Sequence, residues 1–353
     1  MIIRRYKEGD EKQIVPLLKL VFPGSKYIDE KYWNWMYKNN PTHLIRIWVA
    51  EDNEKIVGHY AVMSVFMKVN DKLQTGALSL NIAVHPDYQG RGIFPRLAKQ
   101  ASRELSEEGI VFTYVYPNKR SFPIFIEKLG WFEVPSLPVL FKPLNLEKLL
   151  ARKVGNRFLA KMINPFGLLF LKVFFGERRN DISKGIDVIR VTSLDDRVDG
   201  FWEQASKPYK IIALRDKKYL TWRYFDKPDN SYMMYLAEKE GEMLGYIVLK
   251  LVTIDESSKS GTIVDLLTLP GREDVVLTLI LKAIEHFKEE EADVAMCYMQ
   301  NKYCYELLRK IGFVPFPPVT PKLCAQIYTA EHRTLFSDVR DYFITGGDRP
   351  HEI

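Results

Sequence analysis

The stretch that decides the fold is Ile82-Ala83-Val84-His85-Pro86-Asp87-Tyr88-Gln89-Gly90-Arg91-Gly92-Ile93-Phe94. An apolar strand pattern ends at Val84, and an amphipathic helix pattern begins at Gly92. Two glycines allow a tight turn with inward-pointing N–H groups, and the new helix adds unpaired N–H groups and the positive end of its dipole. The pattern therefore predicts a pyrophosphate site. It is not the P-loop, because no Lys-Ser/Thr follows, and its glycine spacing is not that of the dinucleotide fingerprint.

The chain contains a weak internal repeat. The segment Lys31-Tyr32-Trp33-Asn34-Trp35-Met36-Tyr37 reappears 187 residues later as Lys218-Tyr219-Leu220-Thr221-Trp222-Arg223-Tyr224. Further along, Lys128-Leu129-Gly130-Trp131 corresponds to Lys310-Ile311-Gly312-Phe313. Order and spacing predict two similar halves. Chance similarity of two unrelated α/β halves is the alternative.

Each half shows the pattern β-α-α-β-β-β-α-β-α-β. In the first half a strand at residues 2–5 precedes a helix from Asp10, which forms a capping-box pattern with Gln13. A hairpin turns at residues 52–54, and the last strand signal extends from 132 to 141. The predicted fold class is α/β (α+β mixed sheet), with two tandem domains that each have a mixed β-sheet with helices on both faces.

The length of 353 residues predicts two domains, since one domain takes roughly 150 residues. The predicted segments are a catalytic domain at 1–140, a basic helical connector at 141–185, a second domain at 186–335 and a tail at 336–353. The net charge of +6 is concentrated between Phe141 and Asn180, which contain nine Lys and Arg against two Glu. The chain is therefore not broadly basic, and we expect no nucleic-acid partner.

The strand, turn and helix around Gly90 resemble motif A of the GNAT superfamily of acyl-CoA N-acyltransferases. Asn118, followed by a helix that ends at Lys128-Leu129-Gly130-Trp131, resembles its motif B. The resemblance covers most of residues 1–140 and implies acetyl-CoA as co-substrate, with the pyrophosphate on backbone N–H groups and the pantetheine beside the strand. The cofactor-binding residues that it implies are Ile82, Ala83, Val84, Gln89, Gly90, Arg91, Gly92, Ile93, Phe94 and Asn118.

Two positions depart from the GNAT pattern. Phe94 stands where the family usually has a small residue, so we expect different packing over the phosphate. The tyrosine that commonly protonates the leaving thiolate corresponds to Phe125 or Ile126, and neither side chain can donate a proton. A water, another residue or unassisted departure of the thiolate would have to take its place.

The general base is not apparent. Many relatives place a Glu on the strand before motif A, which here reads Leu78-Ser79-Leu80-Asn81-Ile82. With regular alternation Asn81 and Ser79 share one face and could orient an amine or a water. His59 on the preceding strand is the other candidate, because histidine titrates near neutral pH. Asn81 and His59 are therefore the candidate catalytic residues, with a structural role as the alternative for each.

The aromatic segment at residues 32–37 lies where GNAT proteins often shape the acceptor pocket. It could form a stacking wall for a sugar or an aromatic amine. Core packing is the alternative, because Tyr219, Trp222 and Tyr224 recur in the second half. Trp33 does not recur, because the second half has Leu220 at the equivalent position.

The second half lacks the glycine-rich turn. Its equivalent positions read Leu269-Pro270-Gly271-Arg272-Glu273-Asp274-Val275, and the carboxylates of Glu273 and Asp274 would repel a pyrophosphate. We therefore predict that this half binds no CoA. It would complete the acceptor site or bury a face of the first half.

The composition is typical of a globular protein, with 46% hydrophobic and 27% charged residues. Cys297, Cys304 and Cys324 show no CxxC spacing, which favours free thiols over disulfides or a zinc site. No apolar stretch of signal-peptide length follows Met1, and we therefore expect a cytoplasmic protein. Docking of residues 141–180 on an acidic membrane surface is a less favoured alternative to packing on the domains.

The GNAT resemblance implies an N-acetyltransferase that transfers an acyl group from acetyl-CoA to the primary amine of a small acceptor, such as an amino sugar. The amine would attack directly in a ternary complex, and no metal is expected. The alternatives are a tandem-GNAT transferase that uses aminoacyl-tRNA and a non-catalytic acyl-CoA-binding module. The oligomeric state is not predicted.

Overall fold

The computed structural model describes residues 1–145, 185–229, 231–255, 258–316, 320–329, 332 and 334–349. The predicted basic connector, and with it the membrane-docking alternative, lies almost entirely outside the described residues. The chain divides into two compact units. Unit 1 consists of Met1–Ser136, Lys210–Asn230 and Pro321–Asp341, and unit 2 of Leu137–Tyr209, Ser231–Thr320 and Tyr342–Ile353.

Sixteen described strands, numbered along the chain, form two sheets. They are β1 (Ile2–Arg5), β2 (Ile45–Asp52), β3 (Lys55–Val69), β4 (Lys72–Val84), β5 (Phe112–Val115), β6 (Phe132–Val134), β7 (Leu140–Pro143), β8 (Asp187–Val191), β9 (Ile211–Ala213), β10 (Tyr232–Lys239), β11 (Glu242–Asp255), β12 (Ser258–Thr268), β13 (Val294–Cys297), β14 (Val314–Pro315), β15 (Leu323–Ile327) and β16 (Tyr342–Phe343).

Seven α-helices flank these sheets in the described part of the chain. They are α1 (Glu11–Val21), α2 (Glu30–Trp33), α3 (Ile93–Glu107), α4 (Arg197–Ala205), α5 (Lys217–Leu220), α6 (Glu273–Glu289) and α7 (Lys302–Lys310). Short π-helical turns continue α2 at Asn34–Lys38 and α5 at Thr221–Phe225, and a third lies at Ile124–Lys128. No helix among the described residues is long and apolar enough to cross a membrane.

Both sheets are mixed, which confirms the predicted fold class. In unit 1 the order is β1-β2-β3-β4-β5-β15-β6, with β9 on the far part of β3. In unit 2 the order is β14-β7-β13-β12-β11-β10-β8. Each sheet has one parallel pair, β4 with β5 and β12 with β13, at the same place in the order. The matching order is consistent with the two similar halves that the sequence predicts.

The compact units differ from the predicted linear division because two strands change sheets. The single strand expected at residues 132–141 is two strands, of which β6 remains in unit 1 and β7 pairs with β13 in unit 2. In return β15, from the second half of the chain, lies between β5 and β6. Local hydrophobic patterns identify strands but not their partners, so the exchange was not predictable from them.

The predicted capping box at α1 is wrong. The Asp10 carboxylate makes no cap hydrogen bond to the helix and instead accepts one from Arg4 Nη1 at 2.6 Å. The Gln13 side chain holds the β2–β3 turn, accepting from Ile56 N at 3.0 Å and donating to Glu54 O at 3.2 Å. The backbone of Asp10 is helical, with φ of −62° and ψ of −25°, whereas a capping residue is normally extended, so its carboxylate is directed to Arg4 instead.

Helix α3 packs closely on the sheet of unit 1 because Gly58 lies beneath it. A Cβ at Gly58 would lie 2.9 Å from Ile93 Cγ2 and 3.1 Å from Leu97 Cδ1. Trp48, Tyr60 and Val62 extend the same apolar layer under the helix. Gly58 therefore sets how near the N-terminus of α3 comes to the end of β4.

Two tryptophans related by the repeat form a reciprocal pair within unit 1. Their rings stack at 4.8 Å, and each indole N–H donates to the other residue's backbone carbonyl. The Trp35 Nε1 to Trp222 O distance is 2.8 Å, and the Trp222 Nε1 to Trp35 O distance is 2.9 Å. Both side chains are buried, so the pair anchors the segment 210–230 in unit 1.

We expect Gly58→Val to lower the free energy of unfolding by about 1–3 kcal/mol, because the new side chain overlaps α3. Urea unfolding of the whole chain measures the change. Gly200→Ala is the matched control, since Gly200 is exposed within α4 with no atom within 4 Å of its Cβ position. It should stabilise by up to about 1 kcal/mol. Equal stability of Gly58→Val and the wild type would contradict the close packing.

We expect Trp222→Phe to lower the free energy of unfolding by about 1–3 kcal/mol, because the Trp35 carbonyl loses its buried donor while an aromatic ring is kept. Trp222→Leu should cost more, because it also removes the ring stack. Thermal and urea unfolding measure both. A Phe variant as stable as the wild type would show that the indole hydrogen bond contributes nothing.

Candidate functional site

The turn after β4 forms a concave patch of backbone donors. Gly90 and Gly92 adopt left-handed φ angles of 76° and 72°, which glycine does without steric cost. Gly92 is the N-cap of α3, and as a glycine it has no side chain that could cap the helix. Among the described residues, no acceptor binds the backbone N–H groups of residues 90–94. A Cβ at either glycine would meet nothing within 4 Å, so the space above these donors is open.

Side chains of the same turn hold its shape and add positive charge. Gln89 Nε2 donates to Val84 O at 3.2 Å, which ties the turn to the end of β4. Arg91 Nη2 donates to Asp87 O at 2.8 Å, and its guanidinium lies 4.8 Å from the centre of the Tyr88 ring. The arginine is exposed. A preformed donor patch beside an arginine suits a phosphate or pyrophosphate.

The parallel strands β4 and β5 part directly below this turn. Their pairing ends at Ser79 opposite Val115, and β4 continues to Val84 paired only with β3 among the described strands. The backbone of residues 80–84 thus has one edge without a strand partner. Ile82 packs against the buried cluster of Val115, Phe125, Trp131 and Cys324. An extended ligand could pair with this edge as an added strand, as the resemblance to GNAT proteins implies for pantetheine.

A β-bulge lies at the start of the unpaired edge. His59 pairs with Ala83 and Ala61 with Leu80, so β4 has one more residue here than β3. The extra residue is Asn81, which has a left-handed φ of 52°. Asparagine tolerates this conformation better than most residues, because its short polar side chain can hydrogen-bond locally.

The bulge makes one prediction wrong, namely that Asn81 and Ser79 share a face. Ser79 pairs with Val62, whose side chain belongs to the layer under α3. Asn81 lies on the opposite face, where its Nδ2 donates to Tyr37 Oη at 3.1 Å. An inserted residue reverses the alternation of a strand, so the simple period of two fails at this point.

The Asn81 amide lies in the wall of a small pocket on the α1 and α2 side of the sheet. The pocket itself has room for about one water molecule, and about 240 Å³ is reached only when the open solvent at its mouth is included. It is lined by Val15, Leu18, Tyr27, Ile28, Asp29, Tyr32, Trp33, Met36, Tyr37 and Asn81. Asp29 brings a carboxylate to this otherwise largely apolar and aromatic lining.

The aromatic segment divides between the two predicted roles. Trp35 is a core residue, because its ring is stacked on Trp222. Tyr32, Trp33 and Tyr37 are buried as well, but they line the pocket beside Asn81. Their part in acceptor binding stays a prediction.

His59 does not have the properties expected of a base that titrates near neutral pH. Its side chain is 0% exposed, and burial lowers its pKa to about 4. Its Nδ1 lies 2.6 Å from Asn81 O. A carbonyl oxygen only accepts, so Nδ1 carries the proton of the neutral ring. The expectation failed because a strand pattern does not show how completely one face is covered.

The two departures from the GNAT pattern are both apolar packing positions. Phe94 packs between Tyr60 and Phe125, with ring centres 6.5 and 5.4 Å away, rather than over the donor patch. Phe125 is fully buried and Ile126 half-buried. Neither supplies a proton donor, as the sequence predicts.

Asn118 is exposed and caps the turn before the π-helix at Ile124–Lys128. Its Oδ1 accepts from Arg120 N and Ser121 N, each at 2.9 Å. Its equivalent Asn301 caps α7 in the same way, accepting from Cys304 N at 3.0 Å. The structure thus gives both residues a capping role, and cofactor binding by Asn118 stays a prediction.

The corresponding places in unit 2 are already filled by the chain itself. At the start of α6 the Asp274 carboxylate binds Arg272 at 2.7 Å and supplies the negative charge that the helix end favours. Beyond the β12–β13 pairing, Gln300 N donates to Ile344 O at 2.8 Å, and Thr345 forms an antiparallel bridge with Met299. Thr345 Oγ1 also donates to Asp265 Oδ1 at 3.0 Å. Asp265 is equivalent to Asn81, because each lies three residues before the strand residue that pairs with the repeated glycine, Gly245 or Gly58.

A comparison with protein families matches the first part of the chain. Residues 2–134 match the model of an acetyltransferase (GNAT) domain. The matched segment includes β4, the glycine turn and α3. No curated protein matches the sequence.

Solved structures extend the likeness of fold to almost the whole chain. One is a GCN5-related N-acetyltransferase from Anabaena variabilis, with 14% identity and a TM-score of 0.65. The match covers 93% of this chain and 73% of the Anabaena chain. A probable N-acyltransferase from Enterococcus faecalis matches 93% and 72%, with 12% identity and a TM-score of 0.65. N-myristoyltransferase from Saccharomyces cerevisiae with bound myristoyl-CoA matches 92% and 82%, with 13% identity and a TM-score of 0.55.

At these identities the likeness concerns the fold alone. The likeness gives this chain the fold that these three solved structures share.

Sequence reasoning missed two features of these sites, the bulge at Asn81 and the closure of the β12–β13 opening by residues 344–348. An asparagine inside a long apolar strand is a signal for the first, since asparagine is enriched at positive φ. No local signal exists for the second, because it depends on contacts between distant segments.

We expect Thr345→Val to lower the free energy of unfolding of unit 2 by about 1–3 kcal/mol, because it removes a buried donor to Asp265. Thr345→Ser keeps the hydroxyl and serves as the control. Hydrogen exchange of residues 258–268 and 294–300 measures the effect in the whole chain. Equal protection in the Val and Ser variants would contradict a role for this hydrogen bond.

Proposed function

We propose that this chain is an N-acetyltransferase that uses acetyl-CoA and has a single active site, in unit 1. The observation that carries the proposal is the convergence of three features on residues 81–94. These are the open donor patch at Gly90 to Phe94, the unpaired edge of β4, and the pocket that Asn81 lines. An anion site, an extended groove and an acceptor pocket are the parts that transfer from acyl-CoA requires.

The donor patch would bind the pyrophosphate of the co-substrate through backbone N–H groups, with Arg91 nearby as a counter-charge. The pantetheine arm would lie along residues 82–84 as an added strand. Its thioester would then lie in the opening between β4 and β5, close to the bulge at Asn81. We propose Ile82, Ala83, Val84 and Gln89 to Phe94 as the residues of this site.

The reaction is a direct acyl transfer. The amine nitrogen attacks the thioester carbonyl carbon and forms the new C–N bond, while the carbonyl oxygen becomes an oxyanion that backbone N–H groups would stabilise. The C–S bond then breaks and releases the CoA thiolate. The proton that the amine nitrogen loses reaches the solvent or the departing thiolate, so the step balances without a further reactant.

The acceptor we propose is a small primary amine that enters the pocket lined by Tyr32, Trp33 and Tyr37. Aromatic walls favour a ring or an apolar body, and the Asp29 carboxylate favours a cationic amine at the same place. An amino sugar or an aromatic amine has both features. Incubation with acetyl-CoA and an amine panel, followed by detection of released thiol, tests this assignment.

The length of the acyl chain is a separate question, because one structural neighbour binds myristoyl-CoA. We propose acetyl, since the described pocket is small and already serves the acceptor. A series of acyl-CoA substrates from acetyl to myristoyl, with one fixed amine, decides the point. A kcat/KM that rises steadily with chain length would contradict the acetyl assignment.

A non-catalytic acyl-CoA-binding module is the second candidate. The observation that favours it is the absence, among the described residues around Asn81, of a side chain suited to proton transfer near neutral pH. Burial lowers the pKa of His59 to about 4 and raises the pKa of Tyr37 above its usual range. Saturable acetyl-CoA binding without thiol release on any amine would establish this second function.

We expect Gly92→Glu to weaken acetyl-CoA binding at least about tenfold, because its carboxylate opposes an anion at the helix N-terminus. Gly92→Ala is the matched control, since both variants bear the same strain at a left-handed φ and neither new Cβ meets an atom. Isothermal titration calorimetry measures both. Equal affinities for the two variants would place the pyrophosphate elsewhere.

We expect kcat/KM to rise with pH and to level off at the pKa of the acceptor's own ammonium group, because only the neutral amine attacks. A His59 with a folded pKa of about 4 is already neutral above pH 5 and adds no inflection there. Two amines with different pKa values supply the comparison. An inflection that stays at one pH for both amines would identify an enzymatic base and contradict this view.

A further inference from the structure

We propose that His59 is a positioning residue for the acyl transfer, whose Nδ1–H holds the Asn81 carbonyl and thereby keeps the bulge of β4 in its active shape. The inference rests on the proposed function and assigns His59 a role other than that of a base. It explains why a histidine occupies a fully covered position in β3.

The polar contacts of the ring support this role. Nδ1 lies 2.6 Å from Asn81 O, while Nε2 is buried and has no hydrogen-bond partner among the described residues. The nearest aromatic neighbour of the ring is Trp33, whose centre lies 6.0 Å away. The carbonyl of Asn81 is therefore the group that the imidazole holds.

The backbone at Asn81 is the part of β4 that needs to be held. A left-handed φ of 52° is unfavourable for a residue with a Cβ, and it persists where the surroundings enforce it. Two contacts do so from one face of the sheet. His59 binds the backbone carbonyl of Asn81, and the Asn81 side chain donates to Tyr37 Oη at 3.1 Å.

Fixing this carbonyl also fixes the donor on the other side of the same peptide. In a trans peptide the N–H of the next residue points away from the carbonyl, and the described chain contains no cis peptide. With the Asn81 carbonyl held towards His59, the N–H of Ile82 points in the opposite direction. Ile82 is the first residue of the segment proposed to bind the acyl-pantetheine, so a rotated peptide would misplace the reacting carbonyl.

The bound proton is essential to this role, whereas proton transfer is not. A donor at the position of Nδ1 is enough to hold the carbonyl, and an asparagine side chain places its Nδ2 there without a titratable group. Leucine has nearly the shape of asparagine but no donor. His59→Asn and His59→Leu therefore form an isosteric pair that differs in the hydrogen bond.

The experiment compares these two variants with the wild type by thiol release from acetyl-CoA, at temperatures well below each variant's Tm. We expect His59→Leu to lower kcat by about a hundredfold through misplacement of the acyl group, with a smaller change in KM for acetyl-CoA. His59→Asn should keep kcat within about threefold of the wild type and leave the pH profile unchanged. His59→Met is a second donor-free variant if His59→Leu does not fold.

Two kinetic results would overturn the proposal. One is a His59→Leu enzyme with wild-type kcat, which would show that the hydrogen bond does not matter. The other is a His59→Asn enzyme as slow as His59→Leu with an altered pH profile, which would show that His59 transfers a proton.

Hydrogen exchange of residues 80–84 separates this proposal from the proposed function. If the wild type acylates no amine, the proposed function fails, but the bulge is still measured directly. Faster exchange in His59→Leu than in His59→Asn supports the positioning role, and equal exchange in the two variants overturns it.

Discussion

The candidate site depends on the point at which β4 and β5 stop pairing. Up to Ser79 the two parallel strands hold each other, and beyond it β4 continues for five residues with β3 on one side and no strand on the other among the described residues. Unpaired backbone groups in a partly buried groove require a partner. The same five residues lead into the glycine turn and the N-terminus of α3, so the groove and the anion site form one continuous surface.

In unit 2 the same opening is occupied by the chain itself. The strand order repeats there, but residues 344–348 of the chain lie along the gap, and Thr345 binds the carboxylate of Asp265. At the helix end, Asp274 and Arg272 neutralise each other where a pyrophosphate would need free donors. One architecture thus appears in an open form and in a form closed by its own chain. This contrast supports the assignment of CoA binding to unit 1 alone.

Much of the fold and of the glycine turn was predictable, because these features depend on local chemistry. Glycines at 90 and 92 predict a tight turn whatever the rest of the chain does, and apolar periodicity locates β4 and α3 around it. The exchange of β7 and β15 between the sheets was not predictable, since strand patterns do not encode partners. Asn81 and His59 were candidate residues from the sequence, but the hydrogen bond between His59 and the Asn81 carbonyl was not predicted. The inserted residue put the Asn81 side chain on the face of the sheet opposite to Ser79, and complete burial keeps the His59 ring neutral.

The central claim is that the chain binds one acetyl-CoA on residues 80–94. Calorimetric titration with acetyl-CoA measures the number of molecules bound per chain, and hydrogen exchange of the complex shows which residues they contact. We expect one acetyl-CoA per chain, with protection from hydrogen exchange gained at residues 80–94 and unchanged at residues 263–275. Two equivalents, or protection gained at 263–275, would contradict it.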